Sequence, residues 1–60
     1  MHMSQIHDLA RRLFDAHGDK AELEAARKAA ECEQQGTTKE ASDWRRIQAA
    51  IKEMRGPGVS

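Results

Sequence analysis

The sequence predicts an all-α fold: three short amphipathic helices, at about 4–17, 20–35 and 39–55, in an antiparallel bundle completed by homodimerisation. Three observations carry this. Apolar residues recur at helical spacing in each segment. A glycine closes each segment (Gly18, Gly36, Gly56), where a left-handed cap needs a residue without a Cβ. No β-branched run bounded by turn residues signals a strand.

The first segment starts at Ser4, with Asp8 in its early turns complementing the helix dipole. Ile6, Leu9, Ala10, Leu13 and His17 form one stripe, widened by Phe14. Gly18 then ends it. Extending the stripe through Gly18 on a helical wheel places Glu24 and Arg27 where Ile6 and Leu9 point. The apolar face does not carry through, so the sequence predicts a break or sharp kink; a long helix with a shifted seam is the alternative.

The second segment opens at Asp19, an N-cap residue with Glu22 three positions on, the pattern of a capping box. Its small residues occupy two faces. Leu23, Ala26 and Ala30 lie on one side; Ala21, Ala25, Ala29 and Cys32 lie nearly opposite. A helix so built can touch two neighbours at close range. The third segment repeats the opening signal with Thr37 and Glu40. Trp44, Ile47, Ile51 and Met54 form its stripe, and Pro57 cannot continue the helix beyond Gly56.

Gly18-Asp19 and Gly36-Thr37 thus each open an alanine-rich helix, eighteen residues apart. The pattern resembles the helix–turn–helix unit of tetratricopeptide-like repeats over its turn glycines and alanines alone. It lacks the aromatic positions of the full motif. The resemblance implies antiparallel helix packing and no ligand.

A chain of 60 residues accommodates one domain. Residues 4–55 are read as that domain, 1–3 as a tail or cloning remnant with Met3 the natural start, and 56–60 as a flexible tail. Ten basic and ten acidic side chains cancel, which disfavours general nucleic-acid coating. No apolar run is long enough to span a membrane, and no secretory signal is recognisable. The single cysteine, Cys32, forms no internal disulfide, and a reducing, cytoplasmic setting is the default. The second segment carries a net negative charge and the third a net positive one, which favours their pairing.

Candidate chemistry is sparse. Glycine-rich phosphate loops, nucleophile elbows and HExxH are absent, so the chain reads as non-enzymatic and without a cofactor. His2, His7, His17 and Cys32 are spaced too widely for a short-paired zinc site, and no metal is expected. Large apolar side chains are few for a core, and chains of this size commonly gain stability by oligomerising. The expected interface is therefore Leu23, Trp44, Ile47, Ile51 and Met54, with a second copy or a heterologous protein as partner. Arg45, Lys52 and Arg55 form the best basic ridge, since Arg45 and Lys52 lack an acid three or four residues away on their own helix. That ridge suits an anion or an acidic partner. A small nucleic-acid-associated regulator is the alternative function.

Overall fold

A computed structural model describes residues 3–56. They form helix α1 (Met3–His17), a 3₁₀ turn (Gly18–Lys20), helix α2 (Ala21–Gln35) and helix α3 (Thr38–Met54). The assignments to residues 1, 2 and 57–60 lie outside the described residues. Helices α2 and α3 share the largest interface, and α1 packs across both.

The predicted boundaries fall within one residue of those observed, but the expectation of three separate helices is corrected. No coil separates α1 from α2. The described residues form two helical runs, 3–35 and 38–54, and the first is sharply bent. A straight helix over 3–35 would be about 50 Å long. The described residues extend only 34 Å in their longest dimension. Gly18 makes the bend: its φ of 59° lies in the left-handed region, from which an α-helix cannot run straight on.

Continuity explains why the predicted box at Asp19 does not form. A capping box needs a non-helical N-cap with free N–H groups beyond it. Here α2 is entered from Lys20 at φ −81°, ψ −9°, without a side-chain cap. The Ala21 N–H already donates to the Gly18 carbonyl. Asp19 sits inside the 3₁₀ turn, and Glu22 turns to Arg55 at the end of α3 instead.

The turn between α2 and α3 is a Schellman motif. Gly36 adopts φ 82°, ψ 7°. Its N–H donates to the Glu33 carbonyl at 3.2 Å, and the Thr37 N–H donates to the Cys32 carbonyl at 2.9 Å. The Thr37 hydroxyl donates to that same carbonyl at 3.0 Å. The predicted Thr37–Glu40 box therefore fails as well, because the Thr37 N–H it requires is already used. Glu40 faces α2, where the Cys32 thiol approaches Glu40 Oε2 at 3.9 Å.

The main core gathers Ile6 and Ala10 of α1, Ala21 and Ala25 of α2, and Ile47, Ala50 and Ile51 of α3. Leu9, Leu13, Phe14, Trp44 and Met54 pack against it, half-buried. His17, read as the end of the α1 stripe, is exposed. Beyond this cluster Ala29, Cys32 and Ala41 are buried between α2 and α3 alone, towards their connecting turn. The alanines face inward on α2 because α1 and α3 bring the bulk. Isoleucines from α3 need shallow positions opposite them, and alanine supplies these while letting the axes approach to about 8 Å. Among the described residues no buried side-chain nitrogen or oxygen lacks a partner.

Candidate interaction surface

Burying the Ala21–Ala25–Ala29–Cys32 face of α2 turns its other small-residue face outward. Leu23 is 63% exposed and is the exposed large hydrophobic side chain of the described residues. Ala30 is also exposed, and Ala26 is half-buried. A shallow groove runs beside Leu23 where α2 meets α3, bordered by Asp19, Glu22, Ala26, Gln48 and Arg55. Arg55 Nη1 donates to Glu22 Oε1 across it at 3.0 Å.

The five side chains expected at an interface are divided by the fold. Ile47 and Ile51 are fully buried within the chain itself. Trp44 and Met54 are half-buried against that same core. Leu23 alone of the five stands well clear of the protein. A second molecule can therefore reach Leu23 directly, the edges of Trp44 and Met54 in part, and Ile47 or Ile51 only if the helices part.

The basic ridge is divided too. Arg45 Nη2 donates to Glu33 Oε1 at 3.0 Å, and Arg55 is held by Glu22. Both acids come from α2, so the charge asymmetry between the helices is expressed as two bridges between them. Lys52 is exposed and makes no ion pair among the described residues. Among the described residues the ridge thus offers one cation of three without an acidic partner. Sequence reasoning missed these pairings because Arg45 and Glu33 lie on different helices, and no spacing along one helix reveals them.

A second groove lies between α1 and α3, floored by Ile6, Ala49 and Ala50 and rimmed by His7, Arg46 and Glu53. Among the described residues no three histidine, cysteine or acidic side chains converge as a metal site. Cys32 is a free, buried cysteine. Among the described residues no helix is long and apolar enough to cross a membrane. No family model, curated protein or solved structure matches the chain.

Proposed function

We propose that this chain is a small, non-catalytic interaction module that self-associates through the outer face of α2. The observation carrying this is Leu23, 63% exposed in a chain whose other large apolar side chains, among the described helices, are buried or half-buried. Its neighbours Ala26 and Ala30 present little bulk, so a second helix can lie close against the face. The benefit of such burial is large here. Among the described residues the large side chains buried in the chain's own core are Ile6, Ile47 and Ile51. A reducing cytoplasmic setting fits the free thiol of Cys32. The nucleic-acid alternative has less support, because Arg45 and Arg55 are already answered by Glu33 and Glu22.

Sedimentation equilibrium over a concentration series, with thiol reductant present, tests the proposal. The expected result is a dimer at micromolar concentration. Leu23→Lys should weaken it at least about tenfold, since burying a leucine is worth roughly 1.5–3 kcal/mol. Helicity of the variant should be unchanged. A monomer throughout the series overturns self-association and turns the search to a heterologous protein.

A further inference from the structure

We propose that two copies of this chain associate by exchanging α1: the run 3–35 straightens at Gly18, and α1 of each copy packs on the α2–α3 hairpin of the other. The inference rests on the self-association proposed above and adds to the outer α2 face a second contact, between α1 and the core face of the partner's hairpin.

The first support is the hinge. Residues 3–35 are helical without interruption, and the bend resides in the left-handed φ of 59° at Gly18. Moving that residue to right-handed helical angles, with smaller adjustments at His17 (φ −116°, ψ −10°) and Lys20 (φ −81°, ψ −9°), makes α1 and α2 collinear. The turn is not locked. It contains no buried residue, and neither His17 before it nor Lys20 at its end makes a side-chain capping bond. Nothing lies within 4 Å of where a Cβ on Gly18 would be.

The second support is the azimuth of the α1 stripe. At about 100° per residue, Ile6 and Glu24 point the same way on a straight helix, as do Leu9 and Arg27. The α2 face that seats α3 carries Ala21, Ala25 and Ala29. On a straightened helix the Leu9–Leu13–Ile6 centre of the stripe therefore lies about a quarter to a third of a turn from that face, and beyond the reach of its own hairpin. The stripe needs an identical seat elsewhere. Ile6 and Ala10, buried in the closed fold, and Leu9, Leu13 and Phe14, half-buried there, find that seat on a second copy, side chain for side chain. Exchange of an identical element across a short hinge is a low-cost route to a dimer, because the packing that α1 gives up on its own hairpin is restored on the partner's.

The test changes the hinge and reads a distance. Gly18→Ala disfavours the left-handed conformation about tenfold per protomer. Two hinges straighten in each dimer, so its dissociation constant should fall about a hundredfold. Gly18→Asn tolerates the left-handed region and should stay close to wild type. Spin labels at Ser4→Cys and Gln34→Cys, in a Cys32→Ala background diluted with unlabelled chain, report the distance within one protomer. In the exchanged dimer it should be about 45 Å, beyond the 34 Å extent of the described residues in the closed fold. The wild-type dimer at high concentration should give the same long distance, so the reading does not depend on Gly18→Ala folding well. A dimer that keeps the short distance overturns exchange while leaving self-association standing. A Gly18→Ala chain that is only less stable and remains monomeric overturns exchange. A wild type that is monomeric throughout overturns both readings.

Discussion

The α2–α3 hairpin and helix α1 are joined to the molecule in different ways. The hairpin is closed by a Schellman turn with three hydrogen bonds onto Cys32 and Glu33. It is bridged twice by ion pairs and packed through a row of alanines. Helix α1 arrives through a left-handed glycine and an uncapped 3₁₀ turn, and it is seated chiefly by Ile6, Ala10 and their half-buried neighbours. The first connection specifies one geometry by backbone hydrogen bonding. The second has a single Ala21–Gly18 backbone bond at the hinge and otherwise relies on apolar contact, which is indifferent to which copy supplies the partner.

The largest effect should come where the two regions meet. Ile47 is fully buried in the cluster that α1, α2 and α3 share. Ile47→Ala should cost about 2–5 kcal/mol. A core of this size rarely supplies more than about 3–5 kcal/mol in total. The variant should therefore lose most of its cooperative unfolding transition, read by circular dichroism during heating. A sharp transition retained near the wild-type temperature would mean that the hairpin holds its fold without this shared core.

The two glycines separate the regions more finely. At Gly36 a Cβ meets nothing within 4 Å, so Gly36→Ala acts through backbone conformation alone, at φ 82°. The expected loss is about 1–2 kcal/mol, measured by urea denaturation. The alanine at position 36 has no alternative to the strained turn, because straightening there would pull α3 off α2 and expose the buried alanines. Position 18 has such an alternative. A Gly36→Ala chain as stable as wild type would show that the Schellman turn is not what fixes the hairpin.

Much of this architecture was legible in the sequence, and the misses have physical causes. Gly18, Gly36 and Gly56 all take positive φ, as expected of glycines that end helices. Thr37 does stand at the N-cap of α3, but neither capping box forms, because each competes with a neighbouring turn for the same N–H groups. At Thr37 the Schellman bond to Cys32 wins; at Asp19 the chain never leaves helical structure. Spacing identified both small-residue faces of α2 but did not rank them. Leucine is the bulkier residue, yet the alanine face is inside, because the isoleucines of α3 must sit close to the α2 axis. The Leu23 surface therefore emerges only once the three helices are placed together, as do the acids that neutralise Arg45 and Arg55.

The smallest effects should be those of the two bridges, and their order refines the account of the hairpin. The Arg45–Glu33 pair is exposed, with 54% of each side chain in solvent. The Arg55–Glu22 pair is better shielded, at 42% and 25%. Exposed pairs contribute about 0.2–1 kcal/mol. Double-mutant cycles with Arg45→Gln and Glu33→Gln, and with Arg55→Gln and Glu22→Gln, should both fall in that range, with the Arg55 pair the larger. Both should shrink at about 1 M salt, where the screening length is about 3 Å. The Arg55 pair also spans the groove beside Leu23, so its removal should loosen the end of α3 on the side where α2 faces outward. Coupling energies above that of Ile47→Ala would reverse the ranking and make charge, rather than the shared isoleucine core, the principal tie between α2 and α3.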